Sequence, residues 1–149
     1  MIPAATSFTP APAVRVTAWL LAAAGTLPFL AAIADAALLG AGRVGTVQIY
    51  GAVIASFICG MHWGAALFAP EPLAVRLFLL SNVAALFAWL AALLTPQPGF
   101  LLLAVIFAAL LGVDRHLRAR GVWAGWFWQL RVAISAVVVS ACVWIGMAA

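Results

Sequence analysis

The sequence contains no lysine, and its acidic residues are only Asp35, Glu71 and Asp114. Charged residues fill 7% of its 149 positions, against about 25% in a soluble domain. Such a chain cannot cover a water-facing surface. Cys59 and Cys142 fall within apolar runs and at different expected depths, which excludes a disulfide framework. A Gly-rich phosphate loop, HExxH, CxxC and a carboxylate pair spaced for acid–base work are all missing. The expectation is a non-enzymatic protein without metal or cofactor. Arginine is scattered along the chain, not gathered into the basic face that nucleic acid requires, so a pI of about 10.6 says little about partners. Expected partners are membrane lipid, another inner-membrane protein, or a second copy of the chain, and not nucleic acid.

What the chain has in quantity is apolar sequence: 68% hydrophobic residues and a mean hydropathy of +1.25. Bilayer is its natural solvent. Five stretches are each long enough to cross ~30 Å of hydrocarbon: residues 16–39, 47–69, 75–94, 100–117 and 123–148. GAGRVG, APEP, TPQPG and DRHLRARG punctuate them. The apolar part of the fourth is short, and it reaches full length by snorkelling Arg115 and Arg118 to the interface. The predicted fold is all-α, a compact bundle of five transmembrane helices in one domain, 14–149. Residues 1–13 form a flexible lead-in. Ala22–Ala24 offer a signal-peptide cleavage site, but the apolar run continues past them to Leu39, too long for the ~7–15-residue core of a signal peptide. Arg15, Arg76, Arg115, Arg118 and Arg120 fall on one side and Arg43 on the other. The positive-inside rule then puts the N-terminus in the cytoplasm and the C-terminus in the periplasm of a bacterial inner membrane.

In the second stretch Ala52, Ser56, Gly60 and Gly64 recur every four residues, a small-residue ladder suited to helix packing. Tyr50, Val53, Phe57, Met61 and Phe68 take the opposite side, towards lipid or a looser contact. His62 shares a face with Gly51, Ala55 and Ile58 and is expected to point inward. It lies roughly 10 Å from the cytoplasmic end of its span at 1.5 Å per residue. Asn82, Asp114 and Arg131 fall in the same leaflet, so the expectation is a buried polar cluster of His62, Trp63, Asn82, Asp114, Arg131 and Ser135. An intramembrane charge needs a partner, and an Asp114–Arg131 pair is the favoured one.

Plainer readings stand beside these. Asp114 could pair with Arg118 four residues on, Arg131 could snorkel to lipid phosphate, and His62 and Asn82 could be ordinary interior hydrogen-bonding groups. His116 reads as interfacial, and Trp123, Trp126 and Trp128 as an aromatic belt. Asp35, Gln48 and Tyr50 form a smaller polar group at the other face. Pro28 should kink the first span.

GTLPFL (25–30), YGAVIASFICGMHWG (50–64), and Asp114 followed by WFWQLR (126–131) resemble the bacterial and mitochondrial membrane family that includes transmembrane protein 69. The chain departs from that pattern in Ile134-Ser135, which keeps a hydroxyl where the family has Leu-Thr. It departs again in GVWAGW, which lacks a proline before the aromatic pair. The resemblance implies a multi-spanning inner-membrane protein and no particular chemistry. Three functional readings follow. The first is an accessory or assembly factor that binds an inner-membrane complex through its helices. The second is a small-solute or proton pathway using His62, Asp114 and Arg131. The third is a haem or quinone site at His62.

Overall fold

A computed structural model describes residues 10–38 and 43–149. The lead-in up to residue 9, the end of the first expected span at Leu39, and residues 40–42 of GAGRVG lie outside the described residues. All regular structure in the described residues is helical: α1 Pro12–Ala24, α2 Leu27–Leu38, α3 Val44–Ala66, α4 Glu71–Leu93, α5 Pro96–Ala119 and α6 Gly125–Ala148. Five segments are long and apolar enough to cross a membrane, the first being α1 and α2 together. The first span is therefore broken, as Pro28 implied. Pro28 has no N–H to offer Ala24, and the chain turns at Gly25-Thr26, where the Thr26 hydroxyl donates to the Ala23 carbonyl at 2.8 Å. The Tyr50 hydroxyl donates to the Gly25 carbonyl at 3.0 Å. A backbone group freed within the membrane thus finds a partner on α3.

Prolines start α1, α4 and α5. Pro72 stands in the first turn of α4, beside Glu71, whose carboxylate suits the positive end of the helix. Pro96 opens α5. α3 begins three residues before the expected 47 and ends at Ala66 instead of 69, because residues 67–69 already turn towards Pro70. α4 begins at Glu71, not 75, because Pro70 and Pro72 pre-set its first turn. At the end of α5, Gly121 takes φ 75°, which lets Val122 N–H return to the Leu117 carbonyl at 2.9 Å. That reversal folds the start of α6 back over the end of α5.

α3 packs against α4, and α5 against α6; α4 also meets α5, and α2 lies against both α3 and α6. These contacts close a ring of helices, and α3 touches α5 across its middle. Phe29, Phe100, Leu103 and Phe107 fill the centre, with Ala55, Ala88 and Ala91 allowing close approach. The α1 half-helix buries none of its residues and leans mainly on α6. Large apolar side chains cover the outside; Phe68 is 90% exposed and Phe57 76%. A continuous apolar exterior over helices of this length is the surface of a membrane protein.

The small-residue ladder faces differently from the expectation. Ala52 is buried, but Ser56, Gly60 and Gly64 are exposed, and a Cβ added at Gly60 or Gly64 would meet no heavy atom within 4 Å. The packing face of α3 is instead the row Gly51, Ala55, Ile58 and His62, nearly half a turn away. Of the side expected to meet lipid or a looser contact, Tyr50 and Met61 make the looser contact, half-buried against the core.

Candidate functional site

Asp114 lies on α5 about 8 Å from the helix end at 1.5 Å per residue, and it has 0% exposure. His62 reaches it from α3 and Arg131 from α6. The Arg131 Nε–H donates to Asp114 Oδ2 at 2.6 Å, and His62 Nε2 stands 2.8 Å from Oδ1. A third donor, Trp123 Nε1–H, reaches Oδ1 at 3.0 Å. With the carboxylate ionised, each neighbour must present a hydrogen, which for a neutral His62 is the Nε2–H tautomer. Carboxylate and guanidinium then cancel, and the cluster with a neutral imidazole has no net charge. That is the condition under which ionised groups tolerate burial in a bilayer.

Apolar layers close the cluster on both sides. Ile58 and Leu110 of the main core lie one turn deeper. A small group of Ala66, Leu73, Leu77 and Leu117, with Trp123 against it, lies towards the helix ends. Among the described residues the one ion pair of an arginine with a carboxylate is Arg131–Asp114, and the neutral His62 adds a hydrogen bond to the same carboxylate. Arg118 turns instead to the Trp123 carbonyl at 3.4 Å. Two buried atoms of the cluster, His62 Nδ1 and Arg131 Nη2, have no hydrogen-bond partner.

Of the six residues expected to cluster, His62, Asp114 and Arg131 come together. Ser135 is buried one turn further along α6 from Arg131. Trp63 is 46% exposed and sets its ring edge-on to Phe78, with centroids 4.7 Å apart. Asn82 also faces outward and donates to the Phe78 carbonyl of its own helix at 2.7 Å. Its neighbour Ser81 is the buried one. Because α4 starts at Glu71 and not at 75, Asn82 sits eleven residues in, about 16 Å at 1.5 Å per residue, deeper than the triad, and it faces out where Ser81, one residue or 100° of helix away, faces in.

Trp123, expected in the aromatic belt, instead donates to the Asp114 carboxylate. Gln48, at the other end of the bundle, is buried and donates to the carbonyls of Ala91 and Leu94 at 2.6 and 2.8 Å, holding the end of α4. Gly99 of α5 packs against this clasp so closely that a Cβ there would overlap Gln48 Nε2. Asp35, also buried, accepts the Arg43 backbone N–H at 3.0 Å. Cys59 and Cys142 are buried and unbonded.

The fold and its buried triad define a multi-pass helical membrane protein that pairs Asp114 and Arg131 in its interior. Residues 14–147 match the family described as Protein of unknown function (DUF3429), and the chain belongs to that family. No curated protein and no solved structure gives a match.

Proposed function

We propose that the chain is a non-enzymatic accessory or assembly factor of a bacterial inner membrane, binding a partner complex through its helices. The observation that carries this reading is the coordination of Asp114. Its carboxylate takes all three donors from the chain itself and so ties α3, α5 and α6 together. The ionisable groups of the interior are spent on architecture, and the working surface is left to the helix exteriors. Ser56, Gly60 and Gly64 offer one such exterior, a small-residue row of the kind that lets helices approach closely.

The arginine distribution supports a cytoplasmic N-terminus and a periplasmic C-terminus, and the quoted motifs support kinship with transmembrane protein 69. Native mass spectrometry after gentle extraction from the protein's own membrane tests the role. A partner protein held at fixed stoichiometry is expected, and a bare chain would overturn it. Reporter fusions at the two termini test the orientation.

A second reading, a proton or small-solute pathway, has one specific observation in its favour: the unpartnered, buried His62 Nδ1 and Arg131 Nη2. Reconstituted vesicles distinguish it. A flux lost in His62→Gln at normal protein abundance would replace the accessory role with transport. A haem at His62 is disfavoured on geometry, because Nε2 already serves Asp114.

A further inference from the structure

Between α4 and α5 the outer surface carries a groove of about 360 Å3, with Arg76 and His116 at one end and Leu80, Ala109 and Gly112 further in. It runs on into a second groove of about 280 Å3, which shares Leu80 and Ala109 and reaches Phe87. From Arg76 to Phe87 the distance along α4 is about 16 Å at 1.5 Å per residue. That is close to half of a ~30 Å hydrocarbon core, the reach of an acyl chain in one leaflet.

Charge complements the length. Arg76 stands on the exposed side of α4, about 8 Å in from the helix start, and among the described residues it has no carboxylate within 4.0 Å. A guanidinium so placed draws an anion or water to its head. Arg115, Arg118 and Arg120 lie at the same end of α5 and its exit, and Arg76 and His116 are the polar side chains that line the groove itself. Below them the walls are apolar. Gly112 lies on open space: a Cβ there would meet no heavy atom within 4 Å, so the bundle's own side chains do not fill the groove at that point.

We propose that the α4/α5 groove binds one anionic phospholipid, its phosphate against Arg76 and His116 and one acyl chain lying over Gly112 and Ala109 towards Phe87. The geometry asks for a guanidinium with a second hydrogen-bonding side chain at headgroup level and an apolar channel one leaflet deep, and both are present on one face. The site stands apart from the buried triad and does not depend on the accessory role.

Delipidated protein in mild detergent, titrated separately with phosphatidylglycerol and phosphatidylcholine and read by native mass spectrometry, tests this. Wild type is expected to hold one phosphatidylglycerol in preference to phosphatidylcholine. Arg76→Gln should weaken the phosphatidylglycerol adduct about fivefold, the effect of one basic residue near a lipid surface, and leave phosphatidylcholine unchanged. Gly112→Leu should remove the adduct at an unaltered unfolding temperature, while Gly60→Leu, on α3 outside the groove, keeps it. Equal binding of the two lipids, or Gly112→Leu binding like wild type, overturns the proposal. So does a dimer that Gly112→Leu turns into monomers, since a second copy would then fill the groove. Should Gly112→Leu unfold, Arg76→Gln decides the matter by the loss or persistence of headgroup preference.

Discussion

Asp114→Asn removes the charge at the centre of the triad with almost no change of shape, and its cost measures how dry the site is. The asparagine oxygen can accept from one side of the cluster, but its amide nitrogen then points at a donor. That donor is either Arg131 Nε–H or the His62 and Trp123 pair. Arg131 is left as a buried charge without a counterion. In soluble proteins such a change costs about 3–5 kcal/mol. In membrane bundles single polar contacts average only ~0.6 kcal/mol, because the unfolded chain finds other partners in the bilayer. With three donors on one carboxylate, one of them charged, the expectation lies between these figures, at about 2–4 kcal/mol.

Reversible unfolding in mixed micelles, followed by the fluorescence of Trp123 and its neighbours, provides the assay. Arg131→Met leaves the opposite charge alone and should cost a similar amount. The double variant should then recover at least ~2 kcal/mol relative to the sum, the mark of directly coupled groups. A loss of ~0.5 kcal/mol or less in Asp114→Asn, additive with Arg131→Met, would refute the reasoning. It would mean that the guanidinium reaches water or lipid phosphate.

Trp123→Phe keeps the ring and removes one donor, and should cost about 1 kcal/mol in the same assay; no change would return Trp123 to the aromatic belt. His62→Gln retains an amide donor and is expected to keep near-normal stability, whereas His62→Leu should lose about 2 kcal/mol. The readout is the unfolding midpoint of each. Gly99→Ala presses a methyl into Gln48 and the Ala91 carbonyl, so it should destabilise by about 1–3 kcal/mol. Leu or Ala tolerated there would show that the clasp gives way freely. Gly60→Leu and Gly64→Leu should leave the isolated fold within about 0.5 kcal/mol of wild type and, under the accessory reading, strip the partner from the native complex.

The spans were legible in the sequence because a bilayer imposes a length on apolar runs and admits few exceptions. Their ends were less so. Residues 71–74, Glu-Pro-Leu-Ala, look like loop by composition, yet Pro72 and Glu71 are what a helix start wants. The break in the first span was foreseeable from Pro28, but its repair by Tyr50 was not. That repair needs α2 and α3 to lie side by side, and no local pattern states which helices are neighbours.

The same distinction explains the site. Depth along a helix follows from counting, and counting put His62, Asp114 and Arg131 in one layer. Facing depends on which side of each helix meets the others. A small-residue ladder such as Ser56, Gly60 and Gly64 signals that some helix approaches, without saying whether that helix belongs to the same chain. On α3 the buried row is set by the residues opposite it: a Cβ at Gly51 would stand 2.8 Å from Leu103 Cδ1 and touch Phe29, so Leu103 would have to shift to admit it. The ladder is left facing out, and the inward turn of His62 follows from the same rotation. Any partner helix that docks on Gly60 and Gly64 therefore meets α3 on the side away from the triad. Its arrival would be felt at His62 only through the helix itself, so partner binding and triad stability should vary independently. A Gly64→Leu variant that lost its partner while keeping the full Asp114–Arg131 coupling energy would demonstrate that independence. A coupling that fell in step with partner loss would place the triad within the binding surface after all.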